Sequence, residues 1–205
     1  MCSTVLRGAV HRNKSRYTQS AVDPATAILL LAGTAALTYV SRRSLAHRRS
    51  HGFFRFFAFE GILLLVLLNM PYWFDEPTSG RQVLSWLLLL SSLVLAVHTF
   101  SLFHRLGQPP TAAVPGQDFR FEQTSRLVDS GIYRFIRHPM YVSLLWLGSG
   151  AFLKHITLLT TCILILIVIT LYATARTEEQ ENLKRFGQSY RDYVLRTRMF
   201  IPFLW

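Results

Sequence analysis

Five apolar runs, spread over 205 residues, constrain this chain more than any other feature. A bilayer core takes about 20 mostly apolar residues as a helix, and a spanning segment must satisfy its own backbone hydrogen bonds. The runs cover residues 25–40, 53–74, 83–103, 139–153 and 156–173. The chain is 51% hydrophobic and only 16% charged, which excludes an ordinary soluble domain. The reading is an all-α integral membrane protein with about five transmembrane helices.

Local signals set the limits of these runs. Pro71 and the acidic pair Asp75-Glu76 close the second. Pro139 suits a first helical turn, because its missing N–H costs nothing there. Lys154-His155 makes a tight turn, so the fourth and fifth runs form a C-terminal helical hairpin whose free ends return to one side.

Lys and Arg total 22 against 11 Asp and Glu, a net charge of +11. In a soluble protein this would suggest nucleic acid. Here the positive-inside rule accounts for it: loops 41–52, 104–138 and 174–205 are basic, the 75–80 loop is acidic, and five spans put the basic loops in the cytoplasm. The membrane is read as a bacterial inner membrane, with an endomembrane or organellar membrane as the alternative. The basic tail 1–22 stands against this topology. It lacks acidic residues and weakly resembles a transit peptide, though a disordered tail is the better reading. Cys2 and Cys162 indicate neither a disulfide framework nor a metal site.

A Pro/Gly-rich break at 107–116 divides the chain. Residues 1–22 are the tail, 23–103 a three-helix membrane scaffold, and 104–205 the half holding nearly every group capable of chemistry. Residues 119–128 carry too much charge to cross lipid and are expected to cover a pocket. Residues 178–197 set Leu183, Phe186, Tyr190, Tyr193 and Val194 at helical spacing, an amphipathic helix interrupted at Gly187. It would lie on the membrane surface or fold over the site, and the apolar residues 200–205 would re-anchor the chain at the interface.

The stretch before the fourth run places Arg137 and His138 between Tyr133 and Tyr141, and Arg176-Thr177-Glu178-Glu179 follows the fifth. The hairpin brings these clusters face to face. Basic residues at span ends are commonplace, and a Glu pair alone means little. Together they make a site for a charged cofactor: free N–H groups at the helix start suit an anion, and the carboxylates suit an ammonium or hydroxyl. His98 and His104 occur singly, so no metal site is expected. Trp73, Trp86, Trp146 and Trp205 read as interface or packing aromatics. Neither a P-loop nor a dinucleotide fingerprint is present.

The run LVDSGIYRFIRHPMY (127–141), the hairpin, Glu178-Glu179, Phe186-Gly187, Tyr190, Tyr193 and Pro202, with Leu106-Gly107 upstream, resembles the isoprenylcysteine carboxyl methyltransferase and phospholipid methyltransferase superfamily. The likeness covers residues 104–202. It implies a multi-span enzyme using S-adenosylmethionine, with the cofactor held at the cytosolic face and an apolar acceptor entering from the bilayer. It further implies that Leu127, Val128, Tyr133, His138, Pro139, Met140 and Tyr141 line the cofactor and that Glu178 binds it from across the hairpin. Arg137, Arg176 and Glu179 are the candidates for chemistry, with Arg176 or Arg198 as counter-ion to an acceptor carboxylate and Glu179 as base toward an amine. The isoprenylcysteine enzymes carry an Arg four residues before the first Glu, where this chain has Thr174. Two positions along a helix turn a side chain by about 200°, so Arg176 replaces that Arg only where the helix has ended.

A hydrophobic carboxylate, a lipid amine and a small thiol all remain as acceptors. The expected partners are thus a lipophilic or lipid substrate and membrane lipids, with no nucleic acid. Two other readings compete. An NADPH-dependent sterol or steroid reductase would need a phosphate-binding cluster that the 104–138 interval lacks, and a noncatalytic lipid-binding protein would use its basic loops on anionic lipids.

Overall fold

The computed structural model describes residues 24–106 and 127–202. The expectations for the tail, the 107–116 break, most of the 119–128 cover and Trp205 lie outside the described residues. Seven α-helices are described: α1 Pro24–Val40, α2 Arg42–Ala46, α3 His51–Asn69, α4 Gly80–Leu106, α5 Pro139–Phe152, α6 Leu158–Phe186 and α7 Gln188–Arg196.

Each apolar run forms a helix, but not all of them have the length of a crossing. His51–Tyr72, which adds a 3-10 turn to α3, Gly80–Leu106 and Leu158–Phe186 are long and apolar enough to span a membrane. α1 has 17 residues and α5 has 14. At 1.5 Å per residue they reach about 25 and 21 Å, short of a core about 30 Å thick. Length and composition therefore support three of the five expected crossings.

The C-terminal boundary also differs from expectation. α6 does not stop where hydropathy falls but runs unbroken for 29 residues to Phe186. Leaving lipid removes no backbone hydrogen bond, and the residues beyond Ala175 are mostly good helix formers. Residues 178–186 thus belong to the spanning helix, and only Gln188–Arg196 forms the separate amphipathic one. The expected break at Gly187 is present: its φ of 56° is a left-handed conformation open to glycine.

α3 and α6 form the centre of the bundle. His51, Arg55, Ala58, Ile62, Leu65 and Asn69 recur at helical spacing on the buried side of α3. A Cβ on Gly61 would stand 2.7 Å from Ile167, so glycine permits this close approach. Ala58, Ile62, Leu65, Ile163, Ile167, Leu171 and Ala175 continue the core up to Tyr141 and Met199. α4 joins α5 through small polar residues: the Ser85 hydroxyl donates to Gly150 O and that of Ser92 to Ser143 O, both at 2.7 Å.

The α5–α6 turn is more than a tight reversal. Lys154 is fully buried; its Nζ donates to Gln82 Oε1 at 2.9 Å and lies 3.8 Å from the Trp86 ring centroid. Burial, then the charge of Arg81, lowers its pKa. Arg81 donates to the carbonyls of Leu153 and Lys154, and Asn69 to Ala151 O at 2.7 Å. Trp73 and Trp86 therefore do more than pack: they flank a buried cation.

Candidate active site

The opposite end of the hairpin holds the residues singled out from the sequence. Gly131–Arg134 forms a 3-10 turn, and Pro139 opens α5 with His138 as its N-cap. The C-terminal segment ties this stretch down. Arg198 N–H donates to Phe135 O at 3.0 Å, Arg137 N–H to Arg198 O at 2.8 Å, and His138 N–H to Met199 O at 3.2 Å. The Tyr193 hydroxyl donates to Tyr133 O at 2.7 Å. Tyr190 and Tyr193 are both buried, so the inner face of α7 covers the site. Burial pushes both hydroxyls up in pKa, leaving them neutral.

The basic and acidic clusters meet as the hairpin implied. The Tyr141 hydroxyl donates to Glu178 Oε2 at 2.6 Å, and His138 Nδ1 lies 3.4 Å from the same oxygen. His138 Nε2 stands 3.5 Å from Glu179 Oε1 but makes no hydrogen bond, so the attraction there is of charge alone. The imidazole stacks on the Tyr141 ring, with centroids 5.3 Å apart. Burial acts to lower the His138 pKa, yet the two carboxylates outweigh it and hold the group above the ordinary histidine value.

The other candidates fall into place around this centre. Arg137 Nε donates to Glu179 Oε1 at 2.6 Å, and its Nη1 donates to Thr197 O at 2.7 Å and Val194 O at 3.4 Å. This guanidinium tethers α7 to α6. Arg176 has a 58% exposed side chain, 3.8 Å from Glu179 Oε2. Because α6 continues through it, Arg176 does not take the place of Thr174, which is fully buried and donates to Thr170 O. Val128 and Tyr133 are buried and Leu127 is half-buried. The expected row of free N–H groups at the start of α5 is largely used up. Pro139 has none, Tyr141 and Val142 donate to His138 O, and Met140 remains.

Sequence reasoning missed the contribution of α3. Glu181 accepts from the His51 backbone N–H at 3.0 Å and meets His51 Nδ1 at 2.7 Å. Both His51 and Arg55, one turn further along, are buried. Glu181 lies three residues after Glu178, so its place on the same face was readable; its partner, 130 residues away, was not.

A family model described as phospholipid methyltransferase matches residues 81–189, just over half of the chain. The chain belongs to the phospholipid methyltransferase family. Membership implies methyl transfer to a lipid-type substrate. The matched segment takes in α5, α6, nearly all of α4, His138, Glu178, Glu179 and Glu181; the α3 residues His51 and Arg55 lie outside it. No curated protein matches the chain.

Proposed function

We propose that the chain transfers a methyl group from S-adenosylmethionine to a lipophilic acceptor at the cytoplasmic membrane face, with Glu178 holding the cofactor's amino group. One observation carries this reading. Tyr141 pins Glu178 Oε2, while Oε1 has no hydrogen bond among the described residues and the side chain is 28% exposed. An ammonium would complete that carboxylate, and a charge-assisted bond there contributes about 1.5–3 kcal/mol.

The cofactor supplies an already activated methyl group, so the protein's task is alignment and exclusion of water rather than strong base catalysis. Tyr141 and His138 orient Glu178. The Met140 N–H suits the carboxylate end of the same ligand. Val128 and Tyr133 form apolar wall, and Tyr190 and Tyr193 close the site on the α7 side. For an amine acceptor, Glu179 Oε2 is the oxygen able to take the released proton, because Arg137 occupies Oε1.

Calorimetric titration of detergent-solubilised protein with S-adenosylhomocysteine, with NADPH alongside, tests the reading. Saturable binding of the former alone is expected, roughly ten- to a hundredfold weaker in Glu178→Ala. Binding of NADPH instead would move the chain to the reductases, and equal affinity in wild type and variant would remove Glu178 from the site.

A further inference from the structure

α7 and the segment after it have two faces. Tyr190, Tyr193 and Met199 point inward and are buried. The outward face leaves Leu195 80% exposed, Ile201 53% and Phe135 47%. Arg134, Arg191 and Arg198 are exposed around them. Arg191 and Leu195 share a helical stripe, and the bond from Arg198 N–H to Phe135 O brings the two segments edge to edge. Arg196 is engaged separately, with Asp129 at 2.7 Å.

Large apolar side chains ringed by guanidinium groups are poorly matched to bulk water. A second copy of the chain would set these arginines against their own kind. The patch is also tied by backbone bonds to residues 135–138, immediately before the apolar helix that begins at Pro139, which places it close to headgroup depth. There, apolar side chains reach the acyl boundary while arginines meet lipid phosphates.

We propose that this face, formed by Arg134, Phe135, Arg191, Leu195, Arg198 and Ile201, docks on the anionic phospholipid surface of the membrane that the chain spans. The helix covering Glu178 is thereby seated on the headgroups, and the site opens sideways toward the leaflet. The docking needs no cofactor, so it stands or falls separately from the methyl-transfer reading.

The test uses the full chain with Cys2 and Cys162 replaced by Ser and Leu195→Cys carrying an environment-sensitive fluorophore. The protein is placed in nanodiscs of phosphatidylcholine alone or with phosphatidylglycerol. Expected are a blue-shifted emission and quenching by shallow spin-labelled lipids in the anionic discs. Both effects should be lost at high salt and in Arg134→Gln/Arg191→Gln. A water-exposed emission in both lipids would overturn the proposal, as would an equal shift in both that salt leaves unchanged. The two-lipid and salt comparisons decide the matter even where the arginine variant fails to fold.

Discussion

The two ends of the α5–α6 hairpin use similar residues in opposite ways. At the end away from the site, Asn69, Arg81 and Lys154 direct donors to backbone carbonyls or to Gln82. Among the buried side-chain atoms there, the Trp73 Nε1 alone lacks a partner within the described residues. At the site end, side chains face one another, and Glu178 Oε1 and His138 Nε2 are left without hydrogen bonds among the described residues. A completed buried network locks helices together, whereas an incomplete one is what a ligand can finish.

The largest effect should come from Arg137→Ala. It leaves a nearly buried Glu179 with only the longer contacts to His138 and Arg176 and unpairs two carbonyls, a loss of about 3–5 kcal/mol visible as a lower unfolding temperature in detergent. Unchanged stability would move Arg137 from framework to chemistry. Lys154→Met should cost about 1–3 kcal/mol, because Gln82 loses its partner, while leaving the affinity of the folded protein for S-adenosylhomocysteine intact. A drop in that affinity would mean that the ends are coupled.

A smaller, pH-dependent effect distinguishes His138. Its raised folded-state pKa means that its pairing contributes fully below the ordinary value of about 6.5 and is lost as pH rises through the raised one. The stability advantage of wild type over His138→Asn should therefore be greatest in mild acid and fade toward alkaline pH. An advantage independent of pH would leave His138 as a packing group. Arg176→Ala should change least, about 0–1 kcal/mol, as expected of an exposed ion pair. A large loss of activity in it would restore Arg176 as an acceptor counter-ion.

Much of this arrangement was legible because it depends on neighbours in sequence. Pro139 marked the start of α5, the apolar runs marked the hairpin, and the hairpin alone requires His138 to approach Glu178. Gly187 marked the end of a helix through its backbone freedom. The length of α6 was hidden, since hydropathy reports contact with lipid and not helicity. The burial of Lys154 and the capture of His51 by Glu181 were hidden too, because both depend on which helices become neighbours. The strand-like bridge between Ile136 and Arg198 joins segments with no shared periodicity.

The unbroken course of α6 makes the membrane-crossing rod and the carrier of Glu178 and Glu179 one rigid lever. A tilt of about 10° swings a point about 30 Å along such a rod by about 5 Å, more than the length of any hydrogen bond in the site. Bilayer thickness, by setting that tilt, becomes a mechanical input to where the two carboxylates stand.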